Sequence, residues 1–112
     1  MEQNVSMLSD WLNTHVEQTL VIEKHELEDM DIVHFKLESV EFRNGEDTVD
    51  DYLDNALVLK GTGNTTNADG ERVPLPQHSY EIAVSGLNMG PSDEKKLQVN
   101  TKRAKYILSI EE

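Results

Sequence analysis

Cysteine is absent from this chain, which excludes disulfides, thiolate metal centres and thiol nucleophiles and fits a reducing compartment. Aromatic residues are scarce, at 5%, so a core must be built mainly from aliphatic side chains. No apolar run approaches the roughly 20 residues of a membrane-spanning helix. The first ten residues carry neither a basic stretch nor a sustained apolar one, so no secretory signal is expected. The sequon at Asn64, Thr65 and Thr66 then has no glycosylation route. A cytoplasmic location is the expectation.

Positive charge is also in short supply: 10 Lys and Arg stand against 22 Asp and Glu, a net charge of −12. The deficit is uneven. Residues 1–94 carry 20 acidic and 5 basic side chains, whereas residues 95–112 carry 5 basic and 2 acidic ones. A body this negative repels phosphate, so neither nucleic acid nor an anionic membrane is expected as a direct partner. Its natural complement is a basic protein surface. The basic segment of Lys95, Lys96, Lys102, Arg103 and Lys105 is expected to pair with the acidic body or to protect a sheet edge.

At 112 residues the chain reads as one domain, residues 1–112, large enough for a modest core without staples. Val5, Leu8, Trp11, Leu12, His15 and Val16 recur at three- and four-residue spacing and predict an amphipathic helix from Asn4 to Glu17. Trp11 sits mid-face as an anchor onto a sheet. The Leu-Val-Ile run at 20–22 predicts a first strand over residues 19–24, followed by an acidic turn or strand end. Over residues 31–43, Val33, Phe35 and Leu37 alternate on one face, but Val40 and Phe42 have the opposite parity. A bulge near Glu38 and Ser39 is the expected cause, since one inserted residue flips every later side chain.

The clearest strands are at residues 56–63 and 79–86, two apolar runs that predict a hairpin with a fifteen-residue tip. The first run is apolar on both faces and should lie inside the sheet. Gly61 and Gly63 suggest a bulge or a close backbone approach. The tip holds a turn signal at Asn67, Ala68, Asp69 and Gly70, then the stiff Pro74-Leu75-Pro76, so it can fold into a small hairpin of its own. Residues 88–93 read as a loop. Residues 95–110 resume alternation, with a turn or bulge required at 100–103 because Leu97 and Val99 differ in parity from Tyr106, Leu108 and Ile110. The fold expected is α+β: one N-terminal helix on a four- to six-stranded, mainly antiparallel, bent or partly closed sheet.

Chemical motifs are weak. Asp47, Asp50, Asp51 and Asp54 have helix-surface spacing rather than the alternate spacing of a calcium loop. Thr65, Asn67, Asp69 and Gly70 match the first half of such a loop, but the twelfth position is Pro76. His15, His25, His34 and His78 form no zinc-ligand spacing. Gly61-Thr62-Gly63 lacks the third glycine and the following helix of a dinucleotide fingerprint. Ser85 lacks the Gly-x-Ser-x-Gly frame. No cofactor, metal or catalytic residue is assigned.

Three functional classes follow. The preferred one is a small non-enzymatic interaction protein that contacts a protein partner through its acidic face and long hairpin loop, with Asp47, Asp50, Asp51, Asp54, Asn67, Asp69, Glu71, Arg72, Pro74 and Pro76 as the contact residues. The second is an acidic inhibitor, of the anti-defence or nucleic-acid-mimicking kind, that blocks a basic groove; its binding would weaken steeply with salt. The third is a small-ligand-binding barrel or an enzyme, which requires a cavity with convergent polar groups. An exposed sheet edge also offers a route to a homodimer.

Overall fold

The computed structural model describes residues 3–43, 55–66 and 70–111. Helix α1 (Gln3–Thr14) comes first, followed by eight strands: β1 (Thr19–Glu26), β2 (Asp29–Arg43), β3 (Ala56–Thr66), β4 (Arg72–Pro74), β5 (Ser79–Ala83), β6 (Asn88–Ser92), β7 (Lys96–Asn100) and β8 (Lys105–Ile110). All pairings are antiparallel, in the order β4-β3-β2-β1-β8-β7-β6, with β5 also on β3. This is the α+β fold with a bent sheet. The strand number exceeds the four to six expected, largely because β4 and β6 are short pieces lying where the sequence reads as loop. The acidic segment with Asp47, Asp50, Asp51 and Asp54 lies outside the described residues.

The sheet's two edges are consecutive in sequence. β5 and β6 are separated by residues 84–87, a link that reaches at most about 17 Å. Six strand steps across a flat sheet would part them by about 29 Å. The sheet therefore curls until its edges approach each other, without closing.

Helix α1 lies along this opening. Val5, Leu8 and Leu12 are buried against the sheet. Asn4 Nδ2 donates to the Leu87 carbonyl at 3.1 Å, and Trp11 Nε1 donates to the Asp93 carbonyl at 3.0 Å. Trp11 is thus the anchor expected, with its indole half-buried against the core and tied to the β6–β7 turn. The helix ends at Thr14, earlier than the apolar spacing predicts. His15 and Val16 extend the apolar face from the turn that follows, where Glu17 takes φ +77°.

The core is one aliphatic cluster around a single phenylalanine. Leu20, Ile22, Phe35, Leu37, Leu57, Leu59, Ile82, Leu97, Val99 and Leu108 are all fully or almost fully buried. The predicted parity switch is a register break between Leu37 and Ser39. It lets Val40 and Phe42 continue on the face begun by Phe35, opposite Leu59 and Leu57. Gly61 and Gly63 are where the Phe35 ring lies against β3. A Cβ on Gly63 would sit 2.8 Å from Phe35 Cδ2, and one on Gly61 would sit 2.0 Å from the Lys36 carbonyl. A close approach, one of the two readings of these glycines, is what the strand makes.

Candidate functional site

The fifteen-residue tip folds back as a second small hairpin. β4 pairs with the last three residues of β3, Arg72 opposite Thr66 and Pro74 opposite Asn64. Beyond β4, Leu75 N donates to the Gly63 carbonyl at 2.9 Å and packs against the core, and Gly61 N donates to the His78 carbonyl at 3.0 Å. The Pro74-Leu75-Pro76 segment is thereby fastened along β3. Glu71, Arg72, Pro74 and Pro76 are all exposed. Asn67 and Asp69 lie outside the described residues.

Pairing of β1 with both β2 and β8 brings two further groups to this hairpin. Arg72 Nη2 is 3.5 Å from Glu111 Oε1, and His34 Nδ1 is 3.0 Å from the same oxygen. A carboxylate only accepts, so Nδ1 carries the hydrogen. His34 and Glu111 are 77 residues apart, and no spacing rule links them; sequence reasoning did not connect them. These pairs are largely solvated and contribute little stability. They bring Arg72, Glu111 and His34 together beside the hairpin.

The β3–β4 hairpin shares its end of the sheet with the β1–β2 turn and the β7–β8 turn. In the β1–β2 turn, Glu26 pairs with Asp29, leaving Leu27 and Glu28 as a two-residue loop. Leu27 has φ +56° and is 98% exposed. Glu26, Glu28, Asp29 and Asp31 surround it in sequence. One strand over, Lys105 lies opposite His25, and the turn that precedes it carries Lys102 and Arg103. That turn is built on Thr101, whose Oγ1 accepts from the backbone N–H of Arg103 and Ala104 at 3.2 and 3.1 Å.

On the inner face, Tyr80 lies 6.4 Å from the Phe35 ring, centroid to centroid. Burial pushes the Tyr80 hydroxyl well above its ordinary range, helped by the neighbouring Tyr106 and Asp31. Burial also raises Tyr106, with Glu26 adding to the effect and Arg103 opposing it. An open cleft of about 450 Å³ lies at the other end of the sheet, between His15, Glu94, Lys95 and Glu111 among others. His15 is held by the scaffold there: Nδ1 is 2.7 Å from the Trp11 carbonyl and Nε2 is 2.7 Å from the Glu94 carbonyl. Neither nitrogen is presented to the cleft as an acceptor. Among the described residues, no three His, Asp or Glu side chains converge as a metal site. None of their helices is long and apolar enough to cross a membrane.

A helix seated in the opening of a curled, all-antiparallel sheet, with charged hairpin turns gathered at one end, defines a small α+β protein. The chain belongs to the YmzB-like protein family, whose model matches residues 1–112. It is 37% identical over 117 residues to the "Uncharacterized protein YmzB" of Bacillus subtilis (strain 168), covering 99% of this chain and 98% of that one. No solved structure matches it.

Proposed function

We propose that this chain is a non-enzymatic binding protein of the cytoplasm that holds a protein partner against its acidic surface through the β3–β4 hairpin. The observation that carries this reading is the fastening of that hairpin. Its base is hydrogen-bonded to β3 on both sides of Leu75, Leu75 packs on the core, and Glu71, Arg72, Val73 and Pro74 are all exposed. A loop positioned by a rigid scaffold loses little conformational entropy on binding. The net charge of −12 favours a partner with a basic surface and gives association a salt dependence.

The test is to replace residues 67–71 by a two-residue Asn-Gly turn, which preserves the β3–β4 register. Cross-linking and affinity capture from the native host should recover a partner with the wild-type chain and lose it with the shortened one. Recovery of the same partner by both chains would remove the hairpin from this role.

A further inference from the structure

The β1–β2 turn combines two features that local physics disfavours. A leucine stands in the left-handed region, where a side chain costs about 1–2 kcal/mol relative to glycine. The same leucine is almost wholly exposed, at 98%. Met30, just beyond the turn, is exposed at 51%. Neither side chain contributes to the core of its own chain. A side chain in this position gains only when another molecule covers it.

The charges around Leu27 indicate which molecule. Glu28, Asp29 and Asp31 are exposed on the turn and the start of β2, and beside them the β7–β8 turn carries exposed Lys102 and Arg103 and the start of β8 carries exposed Lys105. Because β1 and β8 are paired, with His25 opposite Lys105, the acidic turn and the basic turn are neighbours at one end of the same sheet. Among the described residues, Glu28, Asp29, Lys102 and Lys105 take part in none of the ion pairs within 4.0 Å. An acidic patch beside a basic patch is self-complementary under two-fold rotation: each acidic turn then faces the other copy's basic turn, with the two Leu27 side chains near the axis.

We infer that a second copy of this chain docks here, end to end, through Leu27 and the flanking charges. Two of the three edge strands, β4 and β6, are less suited to the same task. β4 is three residues long and ends in Pro74, and β6 contains Pro91 and a register break between Met89 and Ser92. The contact is small, below the ~1,200 Å² of a standard interface, so the dimer is weak and forms in the range of tens to hundreds of micromolar. It is independent of the partner proposed for the β3–β4 hairpin, because its test uses the purified chain alone.

Sedimentation equilibrium from about 10 μM to about 1 mM brackets such a dissociation constant. The wild-type mass should climb toward twice that of the monomer. Leu27→Ser should weaken association at least about tenfold, as expected for a central apolar contact. Two charge-uniform variants decide the rest. Glu28→Lys with Asp29→Lys makes both turns basic; Lys102→Glu with Lys105→Glu makes both acidic. Each should be monomeric alone, and an equimolar mixture of the two should form heterodimers, with circular dichroism confirming that each is folded. A wild-type chain that stays monomeric at 1 mM overturns the inference. So does unchanged association of Leu27→Ser, dimerisation of either charge-uniform variant as strong as wild type, or a mixture that associates no better than its components.

Discussion

Leu27 and Gly61 are mirror cases of backbone and side chain in conflict. Leu27 has φ +56° with its side chain in solvent, so Leu27→Gly should relieve the left-handed strain of the isolated chain at little packing loss. At concentrations below self-association, that variant should unfold at a higher urea midpoint, by up to about 1 kcal/mol once the added chain entropy of glycine is subtracted. Gly61 has no such latitude, because a Cβ there would meet the Lys36 carbonyl at 2.0 Å. Gly61→Ala should cost about 3 kcal/mol or more, since the β2–β3 ladder must separate to admit it; urea unfolding measures this directly. The two phenols, Tyr106 buried and Tyr80 half-buried, give the fold a sensitivity to alkali. Below the ordinary value of 10.0 they are neutral in both the folded and the unfolded chain and add no pH dependence. Above it the unfolded chain gives up these protons first, so stability should fall as pH rises from 10.0. Replacing Tyr80 and Tyr106 with Phe should flatten that decline in a pH series of urea melts.

At the level of elements, α1 is fastened at both ends rather than merely laid on the sheet. Asn4 reaches the Leu87 carbonyl, and Trp11 and His15 reach the carbonyls of Asp93 and Glu94. His15→Ala removes the contacts to Trp11 and Glu94 and opens a gap beside Trp11, whose ring is 4.3 Å from the imidazole. It should cost about 2 kcal/mol and shift the Trp11 fluorescence to longer wavelength as the indole gains water. How much of these elements was legible in the sequence depends on whether a local pattern dictates them. The bulge in β2 was legible because Val33, Phe35 and Leu37 disagree in parity with Val40 and Phe42, and only an extra residue reconciles them. β4 was legible as the return arm of the small hairpin expected in the tip, whereas β6 was not, because Asn-Met-Gly-Pro-Ser lacks strand propensity and is extended by lying against β7. The candidate site divides in the same way. Arg72 and Pro74 could be picked out as exposed loop residues, but their neighbours His34 and Glu111 emerge only once β1 is paired with β8. Leu27 was legible only as part of an acidic turn or strand end; its left-handed backbone and its exposure emerge from the structure.

For the molecule as a whole, charge and topology pull in different directions. A net charge of −12 on a body with principal extents of 38 × 31 × 28 Å places many carboxylates within a Debye length of one another. Salt should therefore stabilise the fold by screening their repulsion. Thermal melts at neutral pH should show the midpoint rising between about 20 mM and about 200 mM NaCl, the range over which the screening length falls from about 20 Å to about 7 Å. Topology sets a different constraint, on time rather than on free energy. β1, the first strand, lies between β2 and β8, and Leu20 pairs with Ile110. While the chain is being synthesised, β1, β2 and β3 can assemble as a meander, but one side of β1 keeps its N–H and C=O groups unpaired until residues 105–110 have left the ribosome. β1 thus stays an open strand edge while everything between Glu26 and Lys105 is made.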